Sequence, residues 1–298
     1  MCFPPEYTTK SARVQPSVEE GPRWWLWPTI LSLDAPAVAL LWQALLARTA
    51  GVAAGMPEAV VLGASVWLAY AGDRWIEGWR LAPAAVRTQR HRFYQRWRWP
   101  MAALWAAVLG LDLVVALGGL PPRELRAGAL LLVPVVAYLL SHQLAHRHRR
   151  GRIPKEVCVA LLMAGGACVF VASQPGARLP AVAWPLGLFV LLCFANCALI
   201  SCWEDEVDRS HGETSFALQF GRARGLARGL PWATAVLAGV LASAGGPAAP
   251  AEACALAAGF LLGLVDVAEP RVGRVRARVL ADVALLTPLV PLLLRIPA

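Results

Sequence analysis

Residues 181–209 read AVAWPLGLFVLLCFANCALISCWEDEVDR. Positions 181–203 hold no charged side chain, and the run then ends abruptly on Glu204, Asp205, Glu206 and Asp208. An apolar run of about 20 residues is the length of helix that crosses the hydrocarbon of a bilayer. Eight further runs of this kind lie outward from it, near 25–47, 52–72, 99–119, 126–144, 155–174, 228–246, 251–268 and 279–296. The sequence therefore predicts an all-α, polytopic membrane protein of about nine transmembrane helices. Residues 25–298 form one transmembrane domain, and residues 1–24 form a cytoplasmic N-terminal segment. Pro288 and Pro291 predict a kink in the last span.

Composition agrees. The chain has 298 residues, 58% hydrophobic and 16% charged, with a mean hydropathy of +0.53. A soluble domain carries about 25% charged residues, and this chain has too few to cover a globule with a polar skin. Residues 1–22 contain no apolar segment of the signal-peptide kind, so the first span is expected to serve as an uncleaved insertion signal.

The net charge of +9 is sorted along the chain. Of the 28 Lys+Arg, 23 fall in the N-terminal segment and in the loops after the second, fourth, sixth and eighth spans. Only Arg48, Arg123, Arg126, Arg178 and Arg295 fall on the other side. This asymmetry predicts a cytoplasmic N-terminus and an outside C-terminus in the inner membrane. The excess charge is thereby read as topology, with no nucleic-acid partner and no protein partner implied.

Two acidic motifs stand on the basic side. The second span runs into Ala69-Tyr70-Ala71-Gly72-Asp73-Arg74-Trp75-Ile76-Glu77, and the sixth into Ser201-Cys202-Trp203-Glu204-Asp205-Glu206-Val207-Asp208-Arg209. Asp73 with Glu77, and Glu204 with Asp208, share i, i+4 spacing and so one helix face each. A carboxylate pair of this kind suits Mg²⁺, which takes hard oxygen ligands and keeps several waters. Nearby arginine and lysine side chains suit the remaining oxygens of a diphosphate. The competing reading is that the acids cap helices or pair with local arginines. Two pairs at matching spacing, on one side of the membrane and four spans apart, favour the metal-and-phosphate reading.

At these residues the chain resembles the UbiA superfamily of intramembrane prenyltransferases, which has nine transmembrane helices and aspartate-rich motifs at the cytoplasmic ends of the second and sixth. The likeness extends to Asp208-Arg209-Ser210-His211-Gly212-Glu213-Thr214, to Gly221, and to Tyr138, Lys155 and Glu156 around the loop after the fourth span. The resemblance implies transfer of an isoprenyl group from an isoprenyl diphosphate to a lipophilic, aromatic acceptor with Mg²⁺. Asp73, Glu77, Glu204 and Asp208 are the implied metal ligands, with Asp205 in reserve, and Arg90, Lys155 and Arg209 the implied phosphate contacts. Asp73, Asp208 and Lys155 are the implied catalytic set; Lys155 is one of only two lysines.

The motifs also depart from the family pattern. Ala69 and Tyr70 replace the opening Asn-Asp of the first, Glu77 replaces its last Asp, and Ser201 and Glu204 stand where the second has Asp. Two other readings therefore accompany the enzyme: a non-catalytic lipid- or quinone-binding relative, and a proton- or ion-coupled transporter.

Four more acids fall inside or at the ends of other spans, where an ionisable group marks a functional site by default. Asp266 and Asp282 are expected to snorkel or to pair with the Arg271–Arg278 loop, and Asp34 and Asp112 either to line a substrate cavity or to serve a proton- or ion-coupled transporter. His142, His146 and His148 read as an interfacial basic cluster, the cysteines as packing residues, and Trp24, Trp25, Trp27, Trp97 and Trp99 as interfacial anchors.

Overall fold

A computed structural model describes residues 23–80, 89–145, 154–211 and 215–294, and every regular element among them is helical. A 3-10 turn (Trp24–Leu26) leads into α1 (Trp27–Ile30) and α2 (Asp34–Ala50). Then follow α3 (Met56–Arg80), α4 (Gln89–Arg96), α5 (Arg98–Gly119), α6 (Pro122–Ala145) and α7 (Lys155–Ser173). The second half holds α8 (Leu179–Trp203), α9 (Asp205–His211), α10 (Phe216–Gln219), α11 (Ala223–Ser243), α12 (Ala249–Val272), α13 (Arg274–Ala284) and α14 (Leu289–Leu293).

Among the described residues six helices, α5 to α8, α11 and α12, are long and apolar enough to cross a membrane. The bent pair Trp24–Ile30 and Asp34–Ala50 makes a seventh if it counts as one span. The other two expected runs fall on α3, which continues past the apolar run to Arg80, and on α13 with α14. Six helices, or seven with the bent pair counted as one span, therefore meet that measure among the described residues.

Both breaks have local causes. Between α1 and α2 the chain turns by 75°, with Ser32 at φ 56, a left-handed conformation uncommon for a side chain bearing a Cβ. Asp34 Oδ1 then accepts the N–H of Ala35 at 2.9 Å as α2 begins. In the last span Pro288 has no N–H to continue a helix. A carbonyl released inside a bilayer costs several kcal/mol unless it finds a donor. Tryptophans supply the donors: Trp67 Nε1 donates to Leu31 O at 2.9 Å, and Trp42 Nε1 to Leu285 O at 3.0 Å.

Apolar burial does not draw helices together in lipid; small residues that permit close approach do. Ala39, Ala167, Ala195, Ala198, Ala255, Ala258 and Ala281 are all fully buried between helices. Where α12 packs on α11, a Cβ added to Gly259 of α12 would stand 2.8 Å from Pro231 O of α11. Trp42 of α2 stacks on Phe189 of α8 with ring centroids 4.4 Å apart. The perimeter is different. α5 packs on α3 and α6 on α7, with little contact between α5 and α6 themselves. Their outward faces expose Val114, Leu117, Leu130 and Val133, as helices facing lipid do.

Candidate functional site

One cavity of about 590 Å³ runs into the bundle from the end where α3 and α8 finish and α7 begins. Asp73, Glu77, Arg90, Lys155, Glu204 and Asp208 all line it, so six of the seven residues singled out from the sequence meet there. α3 brings Asp73 and Glu77 because it stays helical to Arg80, keeping the two acids on one face. α8 ends at Trp203, yet the N–H of Asp208 donates to Glu204 O at 2.9 Å, so the second pair also keeps its one-turn spacing. The seventh residue, Arg209, is exposed and lies outside the lining. Asp205 faces Arg224 at 3.7 Å, away from the cavity.

The mouth also holds a guanidinium that the acidic motifs did not announce, that of Arg278. Arg278 of α13 donates from Nη1 to both oxygens of Glu204, at 2.8 and 2.7 Å. Arg90 Nη2 lies 3.7 Å from the same carboxylate, and Arg74 Nη1 is 3.4 Å from Glu77 Oε2. Burial by itself would raise the Glu204 carboxyl; the charges of Arg278 and Arg90 outweigh it and draw it down to about 2. Burial, with the like charges of Arg278 and Arg74, brings Arg90 down to about 9. The Nε atoms of Arg90 and Arg278 are buried with no hydrogen-bond partner. The mouth is therefore a basic cluster with Glu204 between Arg278 and Arg90 and Glu77 beside Arg74, and with guanidinium donors still unspent.

Glu156, next to Lys155, accepts the backbone N–H of Phe216 at 2.9 Å and so fastens α10 under the mouth. Asp266 does not pair with the Arg271–Arg278 loop. It accepts Trp203 Nε1 at 3.1 Å and lies 3.4 Å from Arg228 Nε, because α12 packs beside α8 and α11 at that level. His146 and His148 lie outside the described residues.

Whether this mouth suits Mg²⁺ turns on its carboxylates. Among the described residues no group of three or more His, Cys, Asp or Glu comes together to hold a metal. Mg²⁺ seldom sits in an all-protein cage, however; it is usually held by one or two carboxylates plus the phosphates of the substrate. Asp73 and Asp208, from opposite motifs of one cavity, fit that pattern, with Glu77 beside them. Glu204 does not, since both its oxygens are taken by Arg278.

Below the mouth comes a polar band. Asn196 precedes Glu204 by eight residues on α8, and Ser65 precedes Asp73 by eight on α3, which places each about 12 Å further along its helix. Asn196 Nδ2 donates to Asp282 Oδ1 at 3.0 Å, and Ser65 Oγ to Asp112 Oδ2 at 2.9 Å. Asp34 and Asp112 line the cavity as expected. Past this band the walls are apolar, with Leu62, Leu120, Leu125, Gly128 and Phe170. Leu113, Leu117 and Leu132 line the cavity and are each more than half exposed, so the slot between α5 and α6 opens it to lipid.

No protein-family model matches this chain, and no curated protein does. Among solved structures it is similar to the apo structure of a UbiA homolog from Aeropyrum pernix K1, with a TM-score of 0.57. The match covers 89% of this chain and 98% of that one, at 18% sequence identity. Over nearly its whole length, then, this chain is a helical membrane bundle with the fold of a UbiA homolog.

Proposed function

We propose that the protein is an intramembrane prenyltransferase, moving an isoprenyl group from an isoprenyl diphosphate to a lipophilic, aromatic acceptor, with Mg²⁺, at the cytoplasmic face of the inner membrane. One observation carries this reading. A single cavity joins a mouth rich in guanidinium, ammonium and carboxylate groups to an apolar interior that opens sideways into lipid. An isoprenyl diphosphate has that same division, with an anionic head and an apolar chain.

The residues divide the work accordingly. Arg90, Arg278 and Lys155 supply N–H donors for phosphate oxygens, and Arg is suited to planar, paired contacts of this kind. Glu204 holds the two guanidiniums in register. Asp73 and Asp208 are the carboxylates that would hold Mg²⁺, which when bound offsets the charge gathering on the departing diphosphate. The apolar walls keep water from the allylic carbon, and the faces of Tyr70 and Tyr138, which line the cavity, offer cation–π stabilisation to the developing charge. The slot between α5 and α6 admits the chain and the acceptor from the bilayer.

The test uses purified protein in lipid nanodiscs with labelled isoprenyl diphosphates and membrane lipid extract, with and without Mg²⁺. The reading requires Mg²⁺-dependent release of diphosphate and formation of a prenylated lipid. It also requires that Asp73→Asn and Asp208→Asn each lower the rate by at least about a hundredfold, the scale expected when a metal-held charge loses its ligand. Unchanged activity in both variants overturns it.

A further inference from the structure

The arginines at the end of the bundle that carries the mouth fall into two groups. Several face an acid: Arg224 lies 3.7 Å from Asp205, Arg228 3.4 Å from Asp266 and Arg274 3.0 Å from Glu206. Arg92 and Arg96 of α4 are exposed, and among the described residues no carboxylate pairs with either. The sequence around them has none to offer, since no Asp or Glu occurs between Glu77 and Asp112.

The inward side of α4 is fixed to the bundle. Tyr94 is 1% exposed, its hydroxyl is 3.2 Å from Ser32 Oγ, and Phe93 meets Trp27 of α1 edge to face at 5.9 Å. With Tyr94 turned inward, Arg92 and Arg96, two residues to either side of it, share the outward face at i, i+4 spacing. Like charges at that spacing destabilise a helix, and the eight residues of α4 are too few to hold a helix without support. The helical path continues through Trp97, whose N–H donates to Phe93 O at 2.9 Å and whose carbonyl accepts the N–H of Met101 at 2.9 Å. Trp99, at i+7 from Arg92 and i+3 from Arg96, comes next along that face and is 66% exposed. Its ring stands edge to face against Trp79 at 5.7 Å, and the Arg98 guanidinium lies over the Trp79 ring at 4.6 Å. Tryptophan collects where hydrocarbon meets headgroups, so the ring cluster sets the depth at which these arginines stand.

We propose that this outward face, Arg92 and Arg96 with Trp99 beside them, is a docking surface for the headgroup of an anionic phospholipid in the leaflet on the side of the mouth. The lipid phosphate supplies the acid that the chain lacks, and guanidiniums present paired N–H donors suited to phosphate oxygens. The tryptophan rings cover the glycerol and the upper acyl chain. A zwitterionic headgroup fits less well, because it brings an ammonium to a face without acids. Basic clusters immediately beside a membrane-spanning helix attract anionic lipid in this way, and α5 begins two residues after Arg96. Arg90, by contrast, lines the cavity, so the mouth and the lipid surface use different sides of one short helix. The proposal does not rest on the prenyltransferase reading.

Lipid titration of the full-length protein in detergent, read by native mass spectrometry, tests it. Phosphatidylglycerol and phosphatidylcholine with the same acyl chains are added separately. Phosphatidylglycerol is expected to bind at least about tenfold more tightly, at about fivefold for each arginine. Arg92→Gln with Arg96→Gln should bring the two lipids to within about twofold of each other, the remainder after both contributions are lost. Arg222→Gln with Arg276→Gln removes the same charge from two other exposed positions and should leave the preference unchanged. Excess inorganic pyrophosphate, a probe for the mouth, should leave the bound lipid in place. Equal binding of the two lipids by the parent protein overturns the proposal. So does a preference that survives Arg92→Gln with Arg96→Gln, one that both double variants lose equally, or displacement of the lipid by pyrophosphate.

Discussion

Removing the Arg278 guanidinium is the most informative single change at the mouth. Arg278→Met keeps the length of the side chain and deletes both contacts to Glu204, at 2.8 and 2.7 Å. Glu204 is then left with Arg90 at 3.7 Å, and its side chain is only 21% exposed. Arg278, the largest of the charges that do so, acts with Arg90 and Arg74 to hold the Glu204 carboxyl down from 4.5 to about 2. At about 1.36 kcal/mol for each pH unit, that is a stabilisation of about 3 kcal/mol, within the range expected when a buried pair loses one partner. Thermal unfolding in detergent at pH 7 should show a loss of roughly 6–12 °C, using the usual scaling of melting temperature with free energy.

The double variant Arg278→Met with Glu204→Met should recover most of this loss, because it removes the stranded charge along with its partner. A carboxyl whose value is lowered by folding contributes its stability above the unfolded value of 4.5 and loses it as pH falls toward about 2. In Arg278→Met burial dominates and Glu204 takes up its proton at higher pH. The gap between parent and variant should therefore narrow as pH drops below about 5. If Arg278→Met melts within a degree of the parent, or the double variant is no better than the single, the pair is not what organises the mouth.

Other parts of the structure give further tests. Trp42→Phe keeps the stack on Phe189 but strands Leu285 O inside the bundle, and should cost about 2 kcal/mol in thermal unfolding. Gly259→Val puts methyl groups against Pro231 O and should cost about 1–3 kcal/mol by the same measurement. Glu156→Leu removes the acceptor for the Phe216 N–H, and should speed hydrogen exchange across α10 about tenfold with α7 and α8 unchanged.

Much of the site was legible in the sequence because it rests on local spacing. Asp73 and Glu77 share a face whatever else the bundle does, and charge asymmetry marks the end of the molecule to which both acidic pairs belong. The breaks were harder to read. Pro288 announces one of them, but nothing near Ser32 marks a 75° bend, whose freed Leu31 O is met by Trp67 from another helix. The buried tryptophans have no signature of this kind, since a donor that satisfies a carbonyl 243 residues away, as Trp42 does for Leu285, leaves no local trace. Arg278 was hidden for the same reason: among 28 basic residues its role depends on α13 returning to α8, a long-range contact. Asp282 was assigned to the neighbouring arginine loop, whereas its carboxylate accepts a hydrogen bond from Asn196 of α8.

The central claim is that the charged mouth and the slot between α5 and α6 hold the two ends of one molecule. An isoprenyl diphosphate with a diazirine near the tail, photolysed on the protein in nanodiscs and mapped by mass spectrometry, tests it directly. Labelling should fall on the peptides of α5 and α6 that carry Leu113, Leu117 and Leu132. Excess inorganic pyrophosphate, or Asp73→Asn, should reduce it at least about tenfold, the scale of losing one charge-assisted contact. Labelling spread over the outer faces of α11 and α12, or labelling indifferent to both pyrophosphate and Asp73→Asn, would contradict the account.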